Sequence, residues 1–142
     1  MLKQISVFIE NKRGRLTDVV ELLGGGGINI RAMSLADTTD FGVLRLIVND
    51  PPKARDILKE ANYTVKITDV LAVEIPDEAG SLASVLRIIR DSDITIQYMY
   101  AFLGNRDKGA LVILKCDDAQ KAVQLLEQHQ ITVVDAETVY QL

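Results

Sequence analysis

The residues best suited to chemistry lie in one short stretch, Asn11-Lys12-Arg13-Gly14-Arg15-Leu16, where an alternating run ending at Ile9 gives way to a helical run beginning at Leu16. A helix start presents unpaired N–H groups and a partial positive charge. It therefore attracts carboxylates and disfavours cations, by roughly 0.3–1 kcal/mol each. Three cations, Lys12, Arg13 and Arg15, crowd this one. A bound carboxylate would resolve the conflict, and Gly14, having no Cβ, would let it approach the backbone amides. Asn11 and Asn29 suit the remaining contacts, because an amide offers donors and an acceptor without bringing charge into the site. On the residues alone, a plainer arrangement stands beside this one. The three cations point into solvent or pair with Asp77 and Glu78, and Asn11 is a local cap. Exposed charge costs little either way.

Elsewhere the chemical inventory is thin: one histidine, one cysteine and no tryptophan. His129 sits in a polar stretch at a helix end, where a partly protonated imidazole favours the dipole, with no nucleophile motif beside it. Cys116, at a strand end, reads as a small buried hydrophobe. No group has the make-up of a catalytic or metal-binding constellation, so the chain is expected to be a non-enzyme without cofactor. Gly24 to Gly27 invites a phosphate-loop reading, but the run follows a helix and precedes a strand, and no Gly-Lys-Ser/Thr follows. Lys108 to Val112 is similar to the start of strand three in the RNA-recognition motif. The base-stacking positions hold Leu and Ile, and the net charge is −4, so nucleic acid is set aside.

The elements that must position these residues occur twice. A shift of 66 residues brings Ile9 onto Ile75, Gly14 onto Gly80, Leu16 onto Leu82, Leu23 onto Ile89 and Ile30 onto Ile96. Two repeats are too few for a solenoid, so the duplication predicts two domains, 1–68 and 69–142. In the first, Ile5, Val7 and Ile9 alternate as a strand, and Leu16, Val19, Val20 and Leu23 recur at helical spacing until the glycine run ends the helix. Two strands follow at 28–36 and 42–48, joined by a hairpin at 37–40. Asp50 caps a second helix that opens with Pro51 and turns Ala54, Ile57, Leu58 and Ala61 inward. A strand at 63–67 closes the unit. The second half predicts a strand at 70–75, a helix at 80–91, strands at 94–103 and 109–116 around a turn at 104–108, a helix at 118–128 and a strand at 131–139. The fold class is α+β: two tandem ferredoxin-like βαββαβ units with antiparallel sheets, joined without a Gly/Ser/Pro linker.

Hydrophobic residues are 48% and charged residues 25% of the 142, the balance of an ordinary globular protein with enough length for its own core. No apolar run approaches the roughly 20 residues of a membrane span. Met1-Leu2-Lys3-Gln4 has none of the regions of a cleaved signal, and a lone cysteine fits a reducing compartment, so a cytoplasmic location is expected.

The spacing of Asn11, Gly14 and Leu16, the Gly27-Ile28-Asn29-Ile30 opening of the next strand, and their echoes in Asp77-Glu78-Ala79-Gly80-Ser81-Leu82 and Ile94-Thr95-Ile96 resemble the ACT domain, twice, over essentially the whole chain. The resemblance implies a non-catalytic sensor that binds a free amino acid at the seam between its units and regulates amino-acid metabolism. It implies as an alternative a regulatory subunit of a separate metabolic enzyme with a weak or lost site. In serine-sensing members two asparagines at these motif positions hold the ligand; here they are Asn11 and Asn29. The ligand set so implied is Asn11, Lys12, Arg13, Gly14, Arg15, Leu16, Asn29 and Ile30. Tyr98 and Tyr100, at period two with Phe102, would wall the pocket if the second strands of the units meet edge to edge, and Phe102 is expected to fill the core on the helix side. Strand three of each half is apolar on both faces, which predicts a homodimer packed sheet against sheet.

Overall fold

The computed structural model describes every residue except 38–39 and 103–108. Parts of the hairpin expected at 37–40, and the strand end and turn expected at 103–108, therefore lie outside the described residues. The elements run β1 (Leu2–Glu10), α1 (Arg15–Gly25), β2 (Ile30–Asp37), β3 (Phe41–Val48), α2 (Pro51–Glu60), β4 (Thr64–Ile75), α3 (Ser81–Arg90), β5 (Ile96–Ala101), β6 (Ala110–Cys116), α4 (Ala119–Gln128), β7 (Thr132–Val134) and α5 (Ala136–Tyr140). The chain divides into two compact units. The first is Lys3–Thr68 with Tyr140–Leu142; the second is Asp69–Val139 with Met1–Leu2.

In the first unit β3 lies between β2 and β1, antiparallel to both. Ile5 faces Leu46, Val7 faces Leu44 and Ile9 faces Gly42. Those alternate side chains point to one face of the sheet, where Val19 and Leu23 of α1 and Ala54 and Leu58 of α2 complete a core. The second unit repeats the device, with β6 between β5 and β4 and with β7 on the other side of β4. Its core joins Leu71, Val73, Val112 and Leu114 to Val85, Ile89, Ala122 and Leu126. Each fully buried aliphatic side chain contributes about 1.5–3 kcal/mol, so these two clusters carry the fold. This is the tandem ferredoxin-like βαββαβ architecture expected from the periodicity.

The helix starts use two devices. Asp50 and Asp118 accept bonds from the backbone N–H groups of Lys53 and Lys121, at 3.2 and 3.1 Å. Gly14 and Gly80 instead start α1 and α3 in the left-handed region, with φ of 85° and 89° and no side-chain cap. The glycine run acts later than expected. Gly24 and Gly25 stay in α1, and the reversal comes at Gly27, with φ of 77°, where the N–H of Ile28 closes on the Leu23 carbonyl at 2.9 Å.

Two expectations are corrected. The strand expected at 131–139 stops at Val134, because the Asp135 carboxylate accepts from the Thr138 N–H at 2.9 Å and from its hydroxyl, starting α5. Phe102 does not fill the helix-side core. Its N–H donates to the Leu111 carbonyl at 2.9 Å, continuing the alternation in which Tyr100 stands opposite Ile113, on the face away from α3 and α4. On the second face of strand three in each unit, Ile47 and Ile113 are both 0% exposed in the single chain. Among the described residues no helix is long and apolar enough to cross a membrane.

Candidate ligand-binding site

At the end of β1 the chain turns tightly, the Lys12 N–H donating to the Glu10 carbonyl at 2.8 Å and the Arg15 N–H to the Lys12 carbonyl at 3.2 Å. Asn11 is tied to the opposite hairpin from both its ends. Its backbone N–H donates to the Asp40 carbonyl at 3.0 Å, and its side-chain amide donates to the Asp37 carboxylate at 2.9 Å. These bonds frame a cavity of about 150 Å³. Ile9, Leu16 and Leu35 give it apolar walls, and Asn11, Lys12, Glu10 and Asp37 line it with polar groups of both signs.

Gly42 leaves room for that space. A Cβ at this position would stand 3.3 Å from Leu35 Cδ1 and 3.5 Å from Ile9 Cγ1. The second unit fills the matching position. Ile9 pairs with Gly42, whereas Ile75, its counterpart, pairs with Ala110. In the opposite sense, the large Leu35, opposite Leu44, becomes the small Ala101, opposite Val112. Small and large residues are thus placed differently around this position in the two units.

The electrostatics modify the charge argument drawn from sequence. Lys12 pairs with Glu10 at 2.9 Å, and this bond holds the Glu10 carboxyl below its ordinary range. Arg15 reaches Asp18 at 3.7 Å. Two of the three cations thus have carboxylates of their own, and Arg13 is exposed with no ion pair among the described residues. The excess positive charge at the start of α1 is smaller than the sequence suggests. Gly14 has a backbone reason to be glycine, since its φ is 85° while a Cβ there would meet nothing within 4 Å.

Of the residues expected from sequence, Asn11, Lys12 and Leu16 come together around the cavity, and Arg13, Gly14 and Arg15 stand in the turn beside it. Asn29 and Ile30 do not join them within this unit. Asn29 lies at the Val48 end of β3 and Asn11 at the Phe41 end, with eight residues between, or roughly 25 Å. There Asn29 serves the strand start, its N–H donating to the Asn49 side chain at 2.9 Å and its carbonyl accepting from the Asn49 N–H at 3.1 Å. Thr95 and Asp117 make the same pair of bonds in the second unit. Tyr98 and Tyr100 belong to that unit, half-buried opposite Lys115 and Ile113. Leu35, Asp37 and Gly42 were not anticipated as site residues. The signal for them is the strand register, which places Gly42 beside Ile9 and Asp37 within reach of Asn11.

The family described as an ACT domain pair matches residues 1–142. A crystal structure of a protein from Bacteroides thetaiotaomicron is 38% identical, with a TM-score of 0.93 over 99% of this chain and 96% of that one. The ligand-free regulatory subunit of aspartate kinase from Thermus thermophilus has a TM-score of 0.64 at 15% identity over 89% of this chain and 91% of that one, a likeness of fold. Among curated proteins, a probable translation initiation factor IF-2 of Methanobrevibacter smithii is 23% identical over 137 residues, 86% of this chain. The chain spans 23% of that relative's length.

Proposed function

Because the chain belongs to the family of ACT domain pairs, we propose that it is a non-enzymatic regulatory protein that binds a small amino acid in the cavity at the end of β1. The observation that carries this reading is the pairing of an apolar pocket above Gly42 with the oriented Asn11 amide, Lys12 and Asp37 at its edge. Polar groups of both signs suit the two charged ends of an amino acid, and the apolar walls suit its side chain. At about 150 Å³ the cavity is the size of one that admits benzene, which favours a small side chain. The second reading is a regulatory subunit of a separate amino-acid biosynthetic enzyme, supported by the fold shared with the Thermus regulatory subunit. A homodimer remains part of the proposal, and light scattering that returned a mass near 15.7 kDa would remove it.

A thermal-shift screen against the twenty amino acids tests the site. A ligand at 100 times its Kd stabilises the fold by about 2.7 kcal/mol, or roughly 5–10 °C in a chain of this size. Asn11→Ala is expected to remove most of that shift, and Gly42→Ala to reduce it by narrowing the cavity. The matching Asp77→Ala in the second unit should leave the shift in place. No shift with any amino acid, together with a stoichiometric enzyme co-purifying from extract, would favour the subunit reading.

A further inference from the structure

Strand β7 covers β4 only from Ala72 to Glu74, because the chain leaves the sheet at Asp135 to start α5. Val70 and Leu71 run on past its end. Beside them, within the second unit, a cavity of about 230 Å³ opens against α4. A space of roughly 150 Å³ already admits benzene, so this one has room for a small molecule. Its walls are aliphatic, with Leu2, Val70, Val123 and Val133 among them, and Met1 borders it. The charged side chains that line it are Glu127 and Asp135, both acidic. The Asp135 carboxylate is held in its ionised form by Thr138, as the cap of α5. Glu127 has no such tie: among the described residues its carboxylate makes no hydrogen bond or ion pair. It also sits in the last turn of α4, the partially negative end of a helix, and that turn has no basic residue to offset it. His129, just beyond, has its Nδ1 on the Leu125 carbonyl at 2.9 Å.

The repeat supplies an internal control. At the 66-residue shift Val123 and Val133 stand where the first unit has Ile57 and Ile67, and in both units these residues pack against the core. Each valine is smaller by one methylene, so the second unit has more space between the helix and the strand. Glu127 stands where the first unit has Ala61, and the last turn of α2 carries Lys59. The second unit therefore combines smaller walls with a carboxylate that the first unit lacks, at a helix end with no cation of its own. A cation with an aliphatic body would fill the space and answer the charge together.

We propose that this cavity is a second ligand site, selective for a small aliphatic amine whose ammonium group meets Glu127 and whose hydrocarbon body lies against Val123 and Val133. The site is independent of the Asn11 cavity and stands or falls separately. Isopentylamine is the probe, titrated at neutral pH into the full chain while the methyl groups of Val123 and Val133 are followed by NMR. Saturable shifts at those methyls are expected. The alcohol of the same skeleton, 3-methylbutan-1-ol, has no charge and should bind roughly threefold more weakly, the scale of an exposed charge pair. Leucine and 3-methylbutanoate, which bring a carboxylate towards two others, should bind more weakly still. Glu127→Ala, which installs the residue of the first unit, should weaken the amine roughly threefold and leave the alcohol unchanged. Val123→Ile with Val133→Ile, again the residues of the first unit, should narrow the cavity and weaken amine and alcohol alike by roughly tenfold or more. Asn11→Ala should change nothing. Glu127 is exposed, so its substitution decides the matter if the isoleucine pair fails to fold. Absence of saturable shifts, alcohol or leucine binding as tightly as the amine, or indifference of the amine to Glu127→Ala would overturn the proposal.

Discussion

Asp135 accepts from the Thr138 N–H and from its hydroxyl, and these bonds hold its carboxyl below the ordinary value of 3.8. The ionised form is the one that caps α5. Its contribution is therefore complete above pH 3.8 and is lost as the pH falls through the depressed folded value. Hydrogen exchange at the Thr138 amide should accelerate in that acid window, and Asp135→Asn should shift or flatten the transition. Cys116 behaves oppositely. Burial first, and then the neighbouring Asp117, push its thiol above the ordinary range, so little thiolate forms at neutral pH. A thiol reagent should label it slowly in the folded protein and rapidly in denaturant. Gly109 is a third residue with a definite cost. Its φ is 130°, and an added Cβ would collide with the Ile75 carbonyl. Gly109→Ala should destabilise the second unit by about 2 kcal/mol or more, read as a lower denaturant midpoint.

The elements that could be read from the sequence were those whose period and caps agree. Helix α2 has Asp50, Pro51 and an apolar face through Ala54 and Leu58; α4 has Asp118 and a face through Ala122 and Leu126. Leu58→Ala and Leu126→Ala should each cost about 2–5 kcal/mol by chemical denaturation, because both side chains are 0% exposed. The end of the second repeat was misread for a physical reason. Ile131, Val133 and Val139 fit a strand, but Asp135 and Thr138 at cap spacing outweigh that alternation over five residues. The candidate site was legible only where it is local. Asn11, Lys12 and Leu16 lie within one turn of chain, whereas Leu35 and Gly42 join them through strand pairing, which a one-dimensional pattern does not display. Asn29 was grouped with Asn11 by motif, and the parallel course of β1 and β2 on either side of β3 sets the two at opposite ends of the sheet.

Over the whole molecule, the two compact units do not coincide with two uninterrupted lengths of chain, since Tyr140–Leu142 group with the first and Met1–Leu2 with the second. Tyr140 is the clearest case. Its hydroxyl accepts from the Lys3 N–H at 2.9 Å and its carbonyl from Arg31 Nε at 3.1 Å. Tyr140→Phe removes one of those acceptors, and exchange at the Lys3 amide should rise roughly fivefold, for about 1 kcal/mol of hydrogen bonding. Amides in α3 and α4 should be unaffected. The same arrangement orders events on the ribosome. At roughly 5–20 residues per second, the roughly 70 residues from Thr68 to Tyr140 take roughly 4–14 s to synthesise. For those seconds the Lys3 N–H and Arg31 Nε lack the two acceptors of Tyr140, so the repeat that is made first is also the one that is finished last.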